Sequence, residues 1–369
     1  MAYINGKETT MQYINGKGVM FAVRPPKIAG LFDENDTLIA SWDELVNTYG
    51  MDVEKNYTKY TYNTDTASPY YVLTKKSKLA KGKKLVMGSK VTSIGDHTFR
   101  ACTSLESIVI PDSVTSIGER AFYKCTSLTS IEIPNSVTSI GKCAFDSCTS
   151  LTSIEIPNSV TSIGSYAFEF CRSLTSIVIG DSVTSIGDDA FYCCYSLIEV
   201  INKSSLNIVA GSYDYGYVGC YAKYIITDES QSYLKNVDDF IFYDDGTDIY
   251  LVKYIGNDTE ITLPEYDGGK EYSIYEYACY NDKITSVIMP DSVTSIGSCA
   301  FYKCTSLTSI EIPNSVTSIG KGAFYNCTSL TNISFNGTIM QWKAISKGAE
   351  WKDSVPATYV QCTDGQVAL

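Results

Sequence analysis

Acid–base, metal and thiol chemistry need particular side chains, and this 369-residue chain supplies them unevenly: one histidine, thirteen cysteines and twenty-nine tyrosines. A single imidazole removes most routes to histidine-based catalysis or metal binding. That residue, His97, stands where other copies of the same segment hold Arg120, Tyr166 or Asp189, and it reads as a surface histidine rather than a general base. Glu132 and Glu155 recur at one repeat position. A strand spacing of about 4.8 Å would bring their carboxylates to about 5 Å, the separation a retaining glycosidase uses. A repeat produces such pairs automatically, and an open solvated face has no pocket to raise one carboxyl pKa, so catalysis is not expected there. Asp33-Glu34-Asn35-Asp36 has calcium-compatible oxygens without the spacing of an EF-hand loop, and reads as a polar turn. No catalytic, cofactor-binding or metal-ligating residue is assigned.

Thirteen is an odd number, so a fully paired monomer is excluded. Cys102, Cys125, Cys148, Cys171, Cys194, Cys304 and Cys327 share one repeat position and should form an inward ladder. Side chains in one column lie about 4.8 Å apart, too far for the Cβ separation of roughly 3.5–4.5 Å that a disulfide needs. Free buried thiols acting as small apolar residues are expected. Cys143 and Cys299 each precede a ladder cysteine by five residues, within reach in principle of a bridge, although both come from one repeat slot. The redox states of these two and of Cys193, Cys220, Cys279 and Cys362 are left open. Zinc is disfavoured by the lack of a C-x-x-C and by the lone histidine.

The elements that hold these residues follow from internal repetition. The hexapeptide (S/K)VTSIG starts at Lys90, Ser113, Ser136, Ser159 and Ser182 at intervals of 23 residues, and returns at Ser292 and Ser315. The unit SVTSIGKCAFDSCTSLTSIEIPN has a short apolar pair, a glycine taken to permit a tight bend, an Ala-Phe pair, a cysteine, then L-x-x-I-x-I-P. In Leu128-Thr129-Ser130-Ile131-Glu132-Ile133 the alternation places Ile131 and Ile133 on one face, the pattern of a half-buried strand ended by Pro134. A 23-residue unit cannot enclose its own core, so neighbouring copies must cover it. The expected fold is an α/β-type repeat solenoid, mostly strand and loop, with a parallel β-sheet on one face.

Between Ser204 and Lys283 the repeat decays. Ala222–Thr227 and Thr259–Pro264 fall where strands belong, and FIFYDDGTDIYLVKYIG reads as a β-hairpin turning at Asp245-Gly246, expected to project from the stack. Ser41-Trp42-Asp43-Glu44 is a capping-box signature for a short helix ended by Gly50. The C-terminal cap is expected to hold the Asn336-Gly337 turn, a helix near Met340–Ile345, and a strand pair turning at Asp364-Gly365. The resulting organisation is an arm (1–30), an N-terminal cap (31–81), regular repeats (82–202), degenerate repeats with the hairpin (203–283), regular repeats (284–335) and a C-terminal cap (336–369). The duplicated YINGK at Tyr3 and Tyr13 suggests small hairpins outside the stack, either an attachment arm through which copies oligomerise or a loose ribbon.

A formal charge of −12 argues against nucleic acid as the main partner. The only basic run, Lys75 to Lys84, reads as a solvated entry to the first coil, with phosphate or anionic glycan as the sharper alternative. No apolar run approaches the roughly 20 residues that span a bilayer, and no export signal is evident, so membrane insertion is not expected.

The unit SVTSIGxxAFxxCxSLTSIxIP, recurring in register from about Gly82 to Phe335, resembles the BspA-like leucine-rich repeat. The flanks WDELVNTYGMDVEKNYT and FNGTIMQWKAISKG are similar to those around such repeats in intestinal bacteria and their prophages. The resemblance implies a curved, non-enzymatic scaffold associated with adhesion at a cell surface to a host-matrix or cell-surface protein or glycan. The missing export signal equally suits a phage tail or virion component, and a passive spacer is a third reading.

Two features are expected to carry recognition. The outward strand face aligns a serine column with a second column, and its candidate contacts are Ser130, Glu132, Ser153, Glu155, Ser309 and Glu311. The plainer reading is a sheet that merely needs small polar residues on its wet side. The block Lys203–Lys283 holds 14 of the 29 tyrosines and nine of the twelve net negative charges. There Tyr213, Tyr215, Tyr217, Tyr243, Tyr250 and Tyr254 are the candidate contacts, with core packing as the alternative.

Overall fold

Each 23-residue copy folds as one coil carrying two short parallel ladders. The computed structural model describes the chain apart from residues 1, 5–6, 10–11, 15–16, 20–28, 59, 77–78 and 281–282. It divides into two compact units, Met1–Ser232 and Tyr233–Leu369, a boundary that falls inside the degenerate stretch. Lys78 of the basic run and most of the N-terminal arm lie outside the described residues. Within the arm, Ala2–Ile4 pairs antiparallel with Lys7–Thr9, and Gln12–Ile14 with Lys17–Val19.

In the first unit the S-I-x-I segments pair in register. Lys84–Val86, Ser107–Val109 and Ser130–Ile131 form one parallel run, and Ser153–Ile156, Ser176–Ile179, Glu199–Asn202 and Tyr224–Ile226 form another. The T-S-I-G segments make a second, two-residue ladder through Ser116–Ile117, Ser139–Ile140, Ser162–Ile163 and Ser185–Ile186. At the N-terminal end, Gly30–Phe32 pairs antiparallel with both Leu38–Ser41 and Lys84–Val86, which closes the exposed strand edge. Ser41 Oγ accepts the Glu44 N–H at 3.1 Å, a π-helical turn runs over Glu44–Thr48, and Gly50 at φ +69° ends it. An additional helix, Pro69–Lys75, completes this cap.

Two inward columns, of phenylalanine and cysteine, and one exposed threonine column hold the coils together. Phe99, Phe122, Phe145, Phe168 and Phe191 stack with centroids 5.1–5.3 Å apart and planes within 10°. Their side chains are fully buried, each worth about 1.5–3 kcal/mol of apolar transfer. The thiols of Cys125, Cys148, Cys171 and Cys194 each donate to the carbonyl of the phenylalanine 26 residues earlier, at 3.1–3.2 Å. Burial holds those thiols protonated, with Cys125 pushed up to about 12. All thirteen cysteines are free. Thr115, Thr138, Thr161 and Thr184 hydroxyls donate to the threonine carbonyl one coil back, at 3.2–3.3 Å.

The glycine after T-S-I has a different role from the expected bend. A Cβ on Gly141 would lie 2.6 Å from the Gly118 carbonyl carbon, and one on Gly164 2.6 Å from Lys142 N, so this column is where successive backbones touch. The left-handed backbone falls two residues later, at His97, Arg120, Cys143, Tyr166 and Asp189, with φ of 53–61°. His97 is buried rather than exposed, its ring 6.4 Å from Tyr62 of the cap, and burial together with Arg100 lowers its pKa.

The second unit repeats the plan. Glu260–Thr262, Ser286–Ile288, Ser309–Ile312, Asn332–Phe335 and Tyr359–Cys362 pair in parallel, and Gly365–Ala368 folds back on the last. The expected hairpin is present, but it does not project. Phe240–Asp244 and Ile249–Tyr254 join the other ladder, the second pairing in parallel with Tyr272–Ile274, and Phe240, Ile241, Phe242 and Tyr243 are all buried. Its loop spans four residues, Asp245 to Asp248, with the Asp245 carboxylate accepting the Thr247 and Asp248 N–H groups in place of a two-residue turn. The C-terminal helix Ile339–Ala344 carries a full capping box between Thr338 and Gln341, and buries Trp342 against Phe335 and Trp351.

Gly141→Ala is expected to lower unfolding free energy by about 1–3 kcal/mol, against about 0.5 kcal/mol or less for Ser130→Ala, measured by denaturant titration. Denatured without reductant, the chain should release thirteen thiols, whereas in the folded chain the less buried Cys220 and Cys299 should react first. Fewer thiols on denaturation would contradict the reduced ladder.

Candidate functional site

Strand alternation places every second residue of the main ladder on its outer side. In the first unit Ser130 pairs with Ser107, and Ser153 with Ser176. Glu132 and Glu155 are both exposed; Glu132 directly follows the strand Ser130–Ile131, the Thr152 N–H to Thr129 O bond at 3.4 Å joins its coil to the next, and the register neighbour of Glu155 is Val178.

The second unit brings its candidates together. Ser286, Ser309 and Asn332 align in one outer column and Ile288, Glu311 and Ser334 in the next. Register with Tyr359–Cys362 extends the second column to Gln361. A hollow of about 390 Å³ lies over these columns and reaches Tyr359. Ile288 and Tyr359 are 47% and 41% exposed, and Glu311 accepts the Asn336 side-chain amide at 2.8 Å. The floor therefore offers hydroxyls, amides, one carboxylate, an aliphatic side chain and an aromatic ring in fixed register. Tyr359 and Gln361 escaped the sequence reading, although the alternation in Tyr359-Val360-Gln361-Cys362 continues the outward pattern.

The tyrosines separate by burial. Tyr213 is 70% exposed and meets Tyr217 edge-on at 5.4 Å, which in turn meets Tyr192 at 5.4 Å. Tyr215 packs partly against the core of the first unit. Tyr243 and Tyr254 are core residues at 1% and 4% exposure, which corrects the expectation that they face a partner. Their strands belong to the sheet instead of standing clear of it, with Tyr254 on Phe240 at 5.1 Å and Tyr243 against Tyr233 and Tyr250. Tyr250 is half-buried with its ring 5.3 Å from Tyr275. Asp244 beneath them is buried, which alone would raise its pKa, but Lys235, the Gly246 N–H and the Tyr266 hydroxyl outweigh that and hold it low.

Among the described residues no cluster of three or more histidine, cysteine or acidic side chains could hold a metal ion, and no helix is long and apolar enough to cross a membrane. Asp33 Oδ1 accepts the N–H groups of Asn35 and Thr37, the polar turn expected there.

The profile of the BspA type leucine rich repeat region matches residues 80–198 and 272–346 in six copies. The chain belongs to this family. Its BspA-type coils are those built on the phenylalanine and cysteine columns. Similar solved structures include a leucine-rich repeat protein from Bacteroides ovatus ATCC 8483, 25% identical over 74% of this chain and 84% of that one, with a TM-score of 0.33. A leucine rich cell surface protein from Faecalibacterium prausnitzii A2-165 is 26% identical over 72% and 82%, with a TM-score of 0.25. A leucine-rich repeat protein from Eubacterium ventriosum ATCC 27560 is 25% identical over 76% and 65%, with a TM-score of 0.32. No curated protein matches the chain. Repeats of this family imply a role in protein binding or surface recognition.

Tyr243→Ala should cost about 3–5 kcal/mol of unfolding free energy, and Tyr213→Ala about 0.5 kcal/mol or less. Equal costs in denaturant melts would reverse the assignment of core and surface.

Proposed function

We propose that this BspA-type repeat protein is a non-enzymatic scaffold that recognises a protein or glycan at a cell surface, and that the strand-face hollow of the second unit is its contact. The observation that carries this reading is the convergence of Ser309, Glu311, Asn332, Tyr359 and Gln361 around one hollow of about 390 Å³, within the range of small-ligand clefts. Each backbone position is locked by ladder register, so a ligand meets donors and acceptors that need no reordering. The exposed Tyr359 ring supplies amphipathic area at low entropic cost. Serine and asparagine hydroxyl and amide groups suit sugar hydroxyls and peptide amides alike.

A second reading, a virion component that contacts bacteria, draws on the two antiparallel strand pairs, Ala2–Ile4 with Lys7–Thr9 and Gln12–Ile14 with Lys17–Val19, that precede the N-terminal cap in the sequence. They would serve there as an attachment or oligomerisation arm.

Purified chain should be retained by intact bacteria or by immobilised host matrix in a side-by-side pull-down. Tyr359→Ala should weaken retention by roughly 30-fold, the effect of losing a contact of about 2 kcal/mol, and Glu311→Gln by less. Unchanged retention in both variants, with circular dichroism intact, would refute the strand-face contact. Retention by neither surface would refute the adhesive role.

A further inference from the structure

The regular copies are nearly identical along the strand and differ mainly between the stacking glycine and the ladder cysteine. In successive coils of the first unit those segments read Asp-His-Thr-Phe-Arg-Ala, Glu-Arg-Ala-Phe-Tyr-Lys, Lys-Cys-Ala-Phe-Asp-Ser and Ser-Tyr-Ala-Phe-Glu-Phe. Arg100, Tyr123, Asp146 and Glu169 thus occupy one column, and Arg120, Cys143 and Tyr166 a second whose backbone is held left-handed. These columns line a cavity of about 470 Å³ on the turn side of the coils, away from the strand face.

The cavity carries cations toward its first coil and carboxylates toward its last, the two sets overlapping in the coil of Lys142 and Asp146. At one end the Arg100 guanidinium lies between the Tyr62 and Tyr123 rings, 4.8 and 4.5 Å from their centroids, and its Nη1 meets His97 Nδ1 at 3.1 Å. Its Nε is buried without a hydrogen-bond partner. Arg120, paired with Glu119, and Lys142, over the Tyr166 ring, add positive charge. At the other end Asp146 is 7% exposed and hydrogen-bonded to Ser147 Oγ at 2.7 Å. Burial raises its pKa, and burial with Asp146 and Asp189 nearby pushes Glu169 up to about 7. Two coil rises of about 5 Å separate the Arg120 coil from the Glu169 coil, so the charged ends stand about 10 Å apart. Every lining side chain is charged, aromatic or a thiol, and none is aliphatic.

We propose that this trough binds an acidic saccharide. Its carboxylate accepts from Arg120 and Lys142, its hydroxyls donate to Asp146 and Glu169, and its ring lies along Tyr123 and Tyr166. Two lining cations, Arg120 and Lys142, backed by the buried Arg100 guanidinium, call for an anion. Two crowded carboxyls call for donors that bring no further negative charge to them. A peptide would find no apolar pocket for its side chains here, which favours the sugar. The size suits one or two sugar rings. This site is independent of the strand-face contact.

Calorimetric titration of the full chain with cellobiouronate, a disaccharide with a single carboxylate, with cellobiose as the neutral control and an Asp-Gly-Lys peptide as the third arm, tests the assignment. Cellobiouronate should bind at least about tenfold more tightly than cellobiose, a margin of about 1.4 kcal/mol. Arg120→Gln should remove about tenfold of that affinity, and Glu169→Gln less. Glu311→Gln on the strand face should change nothing, so failure of one site is separable from failure of the other. Should Arg120→Gln lose its near-ultraviolet dichroism, Lys142→Gln replaces it with the same expected direction. Equal response to cellobiouronate and cellobiose, binding of the peptide alone, or affinity unchanged in both cation variants would each overturn the proposal.

Discussion

The structure depends on coils approaching to 5.1–5.3 Å, close enough for one phenylalanine ring to lie flat on the next. At that separation no coil has room for a side chain where the backbones touch, which is why Gly118, Gly141 and Gly164 line up. The same closeness decides the cysteine column. A valine there would fill the space, but it would forfeit the thiol's hydrogen bond, a second one to a phenylalanine carbonyl that already accepts the cysteine N–H of its own coil. The thiol is small, apolar and a weak donor at once, so a reduced cysteine meets all three demands.

A stack that gains its stability between copies has a problem at each end, where one ladder edge and one apolar layer lose their neighbour. The first unit answers it with an antiparallel strand and two helical segments, and the second with the buried Trp342 helix and a returning strand. The hairpin Phe240–Tyr254 belongs with these devices. Its aromatic residues lie over Tyr266 and Tyr272, with Phe242 4.5 Å from the former and 5.1 Å from the latter, so it covers a core in place of presenting a surface.

Local periodicity made the repeating part of the fold legible. Alternation in S-I-x-I and a strict 23-residue interval predict parallel strands, their register, the inward cysteines and even the two degenerate strands at Tyr224–Ile226 and Glu260–Thr262. What escaped depends on contacts distant in sequence. His97 is buried because Tyr62, thirty-five residues earlier, lies over it, and Tyr243 because a hairpin with a polar loop joins a sheet. A tyrosine-rich, acidic composition is the same whether rings face water or each other, so Tyr213 and Tyr254 could not be told apart. Of the candidate site, Ser309 and Glu311 were readable from alternation, whereas Tyr359 and Gln361 required knowing that the cap strand continues the same ladder.

The pattern of variation among the copies bears on which faces can discriminate between ligands. On the strand face the first outer column offers nearly the same serine in successive regular coils, and discrimination there rests on the second column, where Ile288, Glu311 and Ser334 differ, and on Asn332, Tyr359 and Gln361 of the last coil and cap. On the turn side each coil contributes a different residue at a backbone position fixed by the same carbonyl contacts to the next coil. Arg120, for instance, donates its N–H to Lys142 O, and Cys143 to Ser165 O. Left-handed φ at these non-glycine residues costs on the order of 1 kcal/mol each, yet recurs in every regular coil. A backbone so constrained by its neighbours leaves side-chain identity free to change without disturbing the stack. The repeat therefore separates the residues that make the fold from those that vary on its surface, and recognition can diversify on the turn side while the phenylalanine, cysteine and glycine columns stay the same.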